Sequence, residues 1–419
     1  MAMKEMMHSL SLHQCRPLLF AEPFVGMGGA RAWMNISNVA CSSVNVFDTD
    51  ARLKGYYNGL VKLGHAKAED VKEMKFGPSG DMMKVNLKKD GLKPADAMIV
   101  GAPCNAFCGN GEKLGALSKK SKPFKVVLKW AIHLAWNGGL LVIGVENSPL
   151  IASELGGRES FVSYVMRVLT AGIPHFAFDF VFSELSDLGL PHKRRRCWVR
   201  GLRRDLLSDS SIPPPMTTCF PKVRLEEILD FMLPNDVVQG VRLKTIKRYE
   251  IQVKEDINFG KAGRIACIDL HRKFGKEYPI VLRYDCIPPL KRNCVSLFLL
   301  STHDIGAPWK ERKLCRSLSM QEMVQLQGHP PEISEAISSM KLAASMTGGG
   351  FAVPMVASVM GPLLLRVQGV VKESGVELPS RSSLHALAPV RKRKRKLAPV
   401  RKRKAMGLAP NAKRAKTKN

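Results

Sequence analysis

At 419 residues, 45% of them hydrophobic and 24% charged, the chain is long enough for one large domain with an insertion or for two domains, and it can bury a real core. A formal charge of +29 and a sequence pI near 9.9 point to a polyanionic partner, either nucleic acid or an acidic membrane surface. Ten scattered cysteines without a CxxC pair or metal-ligand spacing exclude a disulfide scaffold, give no metal site, and fit a reduced intracellular compartment.

Residues 1–16 form an N-terminal extension, and Met1 to Pro23 lacks the continuous apolar core of a signal peptide. From 17 to 204, short apolar runs alternate with helix-length segments. Strands are expected at Leu18 to Phe24, Val44 to Phe47, Ala97 to Val100, Leu140 to Val145 and Ala177 to Phe182. Helices are expected around Ala51 to Leu63, Phe124 to Trp136 and Arg158 to Leu169. Such alternation predicts an α/β fold, a doubly wound, mostly parallel sheet with helices on both faces. The longest apolar stretch, Val126 to Val145, is broken by Lys129, His133, Asn137 and two glycines, so no membrane span is expected there.

Residues 205–310 change character to proline-bearing, mixed basic and apolar segments with isolated strand-like pieces at Ile280 to Tyr284 and Val295 to Leu300, which reads as a smaller, irregular inserted domain. Helical spacing resumes within 311–371, at Ser319 to Gln327 and Pro354 to Leu365. The remainder, 372–419, repeats LAPVRKRK at 387 to 394 and 397 to 404. A proline-punctuated basic stretch of this kind cannot bury a core and is expected to be a disordered tail. Its clusters, including Arg391, Lys392, Arg393, Arg401, Lys402 and Arg403, read as a phosphate-binding arm or a nuclear import signal addressed to the import machinery; a solubilising extension is the alternative.

Several segments carry chemistry. Phe24-Val-Gly26-Met-Gly28-Gly29 is a glycine-rich turn between the first strand and a helix, where backbone can approach a ligand closely. About twenty residues on, Asp48 ends the second strand and is placed to accept from ribose hydroxyls, so the pair indicates an adenosyl or nucleotide cofactor. Asp81 adds a further acid at a strand end, which by itself reads as a surface turn. Cys104 follows the apolar run Ala97 to Val100 and the breakers Gly101 and Pro103, at the carboxyl end of a buried strand, which is a nucleophile's position in an open α/β sheet. Glu146 ends another apolar strand, as either a solvated terminus or a pocket acid. In His192-Lys-Arg194-Arg-Arg196 the arginines alternate and point to one side if the segment is extended.

In order and spacing these segments resemble the cytosine-5 DNA methyltransferases. The Phe24-x-Gly26-x-Gly28-Gly29 turn is similar to that family's first motif, Pro103-Cys104-Asn105 to its Pro-Cys-Gln loop, Glu146-Asn147 to its Glu-Asn-Val, and His192-x-Arg194-x-Arg196 to its Gln-x-Arg-x-Arg. Arg316 through Pro330 is similar to its ninth motif and Gly350-Phe-Ala-Val353-Pro354 to its tenth. The resemblance implies a Rossmann-like methyltransferase domain with an inserted target-recognition domain, S-adenosylmethionine as cofactor, DNA as partner and the nucleus as location. It implies methyl transfer to carbon 5 of a flipped cytosine through a covalent Cys104 adduct, with Glu146, Arg194 and Arg196 as the other catalytic residues. Phe24, Gly26, Gly28, Gly29, Asp48, Asp81, Pro103 and Val353 would bind the cofactor, and Asn105 and His192 the nucleic acid. Asn105, Ser148 and His192 depart from the family pattern, and Phe351 stands where the family has an asparagine that helps hold the cofactor's amino-acid end. The alternatives are the family's RNA-directed branch, against which stands the lack of an obvious Cys-Phe-Thr tripeptide, or a catalytically weak nucleic-acid-binding member of the fold.

Overall fold

The computed structural model describes residues 16–104, 106–107, 118–154, 159–207, 211–217, 221–235, 240–270, 282–290, 297–308 and 311–373. Seven strands form the main sheet: β1 (Leu18–Pro23), β2 (Cys41–Asp48), β3 (Lys75–Phe76), β4 (Ala97–Gly101), β5 (Val142–Asn147), β6 (Phe176–Glu184) and β7 (Arg195–Arg203). Their order is β3-β2-β1-β4-β5-β7-β6, with β7 antiparallel to both neighbours and the other pairings parallel. The order reverses between β1 and β4, and it is at such a switch point that open α/β sheets leave a crevice beyond the strand ends.

Apolar residues on the two sides of each strand feed two cores. Helices α1 (Gly29–Ile36), α2 (Leu53–Lys62) and α3 (Ala68–Glu73) follow the first strands, and α4 (Lys122–Asn137) and α5 (Phe161–Gly172) cover the face lined by Met98, Val100, Ile143 and Val145. The opposite face, carrying Ile99, Val142 and Trp198, is covered by α1 together with the C-terminal helices. Of these, α6 (Leu225–Ile228) precedes α8 (Met320–Gln325), α9 (Met340–Gly349) and α10 (Val353–Glu373), while α7 (Gly240–Asn258) packs elsewhere. The stretch Met340–Gly369 is apolar enough to cross a membrane, but 83% of its most apolar window is buried, as in the core helices of a globular fold. Gly361 lets α10 come close to α1, since a Cβ there would lie 3.1 Å from the Trp33 ring.

Strand β7 is the element the sequence conceals. Its RRCWVRGLR run looks like a basic surface segment, yet it lies between β5 and β6 with Cys197, Trp198, Val199 and Leu202 fully buried. Arg200 is tolerated there because Asp179 sits directly across the β6–β7 ladder and accepts from its Nε at 2.9 Å. A buried cation is affordable only when paired in this way.

The inserted region is more regular than its composition implies. Strands β8 (Ile265–Asp269), β9 (Leu282–Tyr284), β10 (Leu297–Ser301) and β11 (Cys315–Ser317) make a second sheet in the order β11-β10-β8-β9. Helix α7 packs on it through Ile246, Tyr249 and Val253, one stripe at helical spacing on an otherwise charged helix. The second sheet thus runs on to Ser317, beyond residue 310. The C-terminal tail, including Arg391, Lys392, Arg393, Arg401, Lys402 and Arg403, lies outside the described residues, as does Asn105.

Candidate active site

The glycine-rich turn is built by left-handed backbone. Phe24, Gly26 and Gly28 have φ of 59°, 50° and 70°, and only at the glycines is that conformation without steric cost. Asp48, buried at the end of β2, holds the turn: Oδ2 accepts from the Gly26 amide at 3.1 Å and Oδ1 from the Asp50 amide at 3.0 Å. Gly80 packs against the Asp48 carbonyl so closely that any side chain would collide with it, and Asp81 follows Gly80 in the chain. Asp81 itself caps the short helix Met82–Lys84, accepting from the Met83 amide at 3.0 Å, and stays partly exposed. Phe24, half-buried, adds an apolar surface to the same edge.

Beneath the turn lies a carboxyl that sequence reasoning passed over. Glu22, the penultimate residue of β1, is fully buried, and neither of its oxygens has a hydrogen-bond partner of good geometry among the described residues. Burial pushes its pKa up to about 8, against the pull of Arg31, whose Nη2 is 4.0 Å away, and of the Ala30 amide.

The chemical groups converge at the ends of β4, β5 and β7. Gly101 pairs with Glu146, and Glu146 with Trp198, so Cys104, just past β4, faces residues from two neighbouring strands. Asn147 pins the start of the cysteine loop, donating from Nδ2 to the Ala102 carbonyl at 2.8 Å, and Cys104 is half-buried beyond it, with Pro103 between. Arg196 Nε lies 2.6 Å from Glu146 Oε1. Arg194 is buried; burial first and the Arg196 charge second lower its pKa to about 9, while Glu146 and Cys104 favour its charge. The four residues expected to be catalytic are therefore neighbours, on the sheet side that also carries the glycine-rich turn.

Arg194 has a second occupation. Its guanidinium donates to the carbonyls of Thr347, Gly348 and Gly350, the last at 2.7 Å, and so fixes the end of α9 and the loop that leads from it to α10. This loop lies directly on the glycine-rich turn: a Cβ on Gly26 would be 3.8 Å from the Gly350 Cα, and one on Gly29 would collide with the Phe351 carbonyl. Phe351, placed by the same loop, packs its ring on Trp198 with centroids 5.5 Å apart.

Two expected ligand contacts are corrected. His192 does not face a nucleic acid: it is fully buried, its Nδ1 donates to the Leu326 carbonyl at 3.1 Å and its Nε2 accepts from the Leu290 amide at 3.3 Å. Burial, aided by Arg194, lowers its pKa to about 3, so the ring is a neutral tie between the main sheet and the inserted region. Val353 packs in the core at the start of α10, and its amide is taken by the Gln327 carbonyl at 2.8 Å; it contacts protein where a cofactor contact was expected.

No protein-family model and no curated protein matches the sequence. Solved structures do match. The Entamoeba histolytica methyltransferase EhMeth superposes with a TM-score of 0.54 at 13% identity, covering 83% of this chain and 98% of that one. Spodoptera frugiperda DNMT2 superposes with a TM-score of 0.50 at 14% identity, covering 84% of this chain and 99% of that one. Likeness over nearly the whole of both neighbours, with the β1/β4 switch point and the strand-end residues described above, shows that this chain has the Rossmann-like methyltransferase fold.

Proposed function

We propose that the chain transfers a methyl group from S-adenosylmethionine to carbon 5 of cytosine in DNA, with Cys104 as nucleophile. The reading rests on one observation above all: Cys104, Glu146, Arg194 and Arg196 converge at the ends of three adjacent strands, beside a glycine-rich turn braced by Asp48. The residues fit the adenosine portion of the cofactor. Asp48 and Asp81 bring two carboxylates to the turn, suited to hydroxyl and amino hydrogens, and Phe24 supplies an apolar face. When bound, the cofactor supplies an electrophilic methyl group on a sulfonium.

Carbon 5 of cytosine is a poor nucleophile, so the protein's task is to raise its electron density. Cys104 Sγ bonds to carbon 6, turning the ring into an enamine, and leaves again once carbon 5 carries the methyl group and has lost its proton. A thiolate at Cys104 faces the buried Arg194 guanidinium, which favours the attacking form. Glu146, oriented by Arg196 on Oε1, is the group that hydrogen-bonds the polar edge of the base. A stacked base cannot present carbon 6 to this cleft, so the target is flipped out or unpaired, and the basic inserted region forms the opposite wall.

A cytosine bearing fluorine at carbon 5 cannot lose a proton there, so it traps the Cys104 adduct. Full-length protein incubated with 5-fluorocytosine DNA and S-adenosylmethionine should give a complex resistant to denaturing electrophoresis, and Cys104→Ser should give none. Trapping of neither DNA nor RNA by the wild type would refute the reaction. RNA is the second reading, favoured by Cys219-Phe220-Pro221, which differs in one residue from the Cys-Phe-Thr tripeptide of the RNA-directed branch and lies within the inserted region. The same trap with 5-fluorocytosine RNA separates the two.

A further inference from the structure

Phe351 takes no part in the chemistry above, yet it reaches across the cleft. Its carbonyl and Cβ lie against Gly29, the residue that opens α1, where a Cβ would be 2.9 Å from the Phe351 Cβ. Its ring lies against Gly101, the residue that ends β4, where a Cβ would be 2.8 Å from Cε1 and 3.3 Å from Glu146 Oε2. One side chain therefore spans the β1/β4 crevice from the glycine-rich turn to the edge of the acid–arginine pair. Phe351 is only 4% exposed and its ring is backed by Trp198, so it is part of the wall.

We propose that Phe351 closes the end of the cleft that would take the amino-acid arm of the cofactor, so that the site recognises the adenosine and sulfur portion alone. The proposal rests on the methyl-transfer reading. With adenosine at Asp48 and Asp81 and the sulfur end toward Cys104, the buried space between Gly29 and Gly101 would be the place for the arm, and the Phe351 ring fills it, so the arm would be left outside in solvent. An ammonium and a carboxylate need polar partners once desolvated, and an aromatic pair offers none. The two buried cations beside the turn are engaged elsewhere: Arg194 donates to the carbonyls of Thr347, Gly348 and Gly350, and Arg31 pairs with Asp70 and donates to Ser43.

The test is calorimetric titration of the full chain with S-adenosylhomocysteine and with 5′-methylthioadenosine, which lacks the arm. Where charged hydrogen bonds hold the arm, each favours the longer ligand by more than about tenfold. Here the two dissociation constants should agree within about threefold, on the scale of the spread expected for contacts of this kind. Phe351→Asn, which removes the ring and supplies a polar group, should shift the ratio at least about tenfold toward S-adenosylhomocysteine, the worth of one such bond. Phe351→Leu, which keeps the crevice apolar and filled, should leave the ratio unchanged. A wild-type preference for S-adenosylhomocysteine of about tenfold or more overturns the proposal while leaving the cofactor reading intact, and so does an unchanged ratio in a folded Phe351→Asn. If Phe351→Asn does not fold, the wild-type ratio alone decides. Absence of binding of either ligand to all three proteins overturns the proposal and the cofactor reading together; binding that appears only in Phe351→Asn overturns the proposal, since the wild type must still hold 5′-methylthioadenosine.

Discussion

Replacing Arg194 by lysine separates two duties that one guanidinium performs. The charge survives, so any purely electrostatic help to Cys104 survives with it, but the fork is lost: an ammonium is a compact point donor that cannot span three carbonyls. The bond to Gly350, at 2.7 Å, is short and charge-assisted, and such bonds are worth about 1.5–3 kcal/mol. Those to Thr347 and Gly348, at 3.3 and 3.5 Å, are long and contribute less, about 1 kcal/mol together. Lysine can satisfy one acceptor, so the loss runs from about 1 kcal/mol if it keeps the Gly350 bond to about 2–3.5 kcal/mol if it keeps one of the others, which at about 2 °C per kcal/mol for a folded unit of this size is about 2–7 °C in Tm. Because the freed carbonyls belong to the end of α9 and to the Gly350 loop that rests on Gly26, the apparent cofactor constant should rise together with the fall in Tm. Calorimetry on the folded variant gives the affinity, differential scanning gives the Tm, and single-turnover methylation at saturating cofactor gives the chemical step. Unchanged Tm and affinity with a slowed chemical step would refute the loop-holding role and leave only the electrostatic one.

Glu22→Gln should change how stability depends on pH. The native carboxyl binds its proton up to about pH 8 while the unfolded one releases it near 4.5, so wild-type stability falls as pH rises between those values, by up to about 1.4 kcal/mol per unit; the variant should lack this slope in urea titrations, and parallel profiles would refute it. His192 behaves in the opposite sense: it stays neutral in the fold down to about pH 3 while the unfolded imidazole protonates near 6.5, so its stabilisation is present above 6.5 and lost as pH falls. His192→Gln should therefore lose less stability on acidification than the wild type, and identical acid slopes in thermal melts would exclude the assignment. Truncation after Ser383 removes Arg391 to Lys396, Arg401 to Lys404 and the remaining tail lysines and arginine, so it should weaken DNA binding and flatten its salt dependence by about 0.9 for each phosphate no longer neutralised, without changing sequence preference; an unaltered slope would leave the tail a solubilising extension.

Local signals made the first half of the sheet legible. Apolar runs of strand length, each ending in a glycine or an acid, placed β1, β2, β4 and β5 and with them Gly26, Asp48, Cys104 and Glu146. Strand β7 was not read, because its arginines are made buriable by partners remote in sequence: Asp179 for Arg200, Glu146 for Arg196, the 347–350 carbonyls for Arg194. The same limitation hid helix α7, whose single apolar stripe means nothing until the second sheet is there to receive it. The surroundings of His192 and Val353, which are protein, are likewise invisible in the sequence, where both residues stand in motif positions. Where Phe351 sits depends on Gly29, Gly101 and Trp198 together, which no window of sequence contains.

Those long separations bear on the chain's synthesis. Strands β1, β2, β4 and β5 can pair as soon as the first 147 residues are made, but the wall contributed by residues 347–351 arrives only when most of the chain has left the ribosome. Until then Gly26, Gly29 and Gly101 lack the loop that covers them, and the Arg194 guanidinium, already translated, has no Gly350 carbonyl to bind. The cleft is thus closed by a segment translated long after the nucleophile, and a nascent chain that has not yet reached residue 347 possesses the nucleophile and the glycine-rich turn without the architecture that makes them a site.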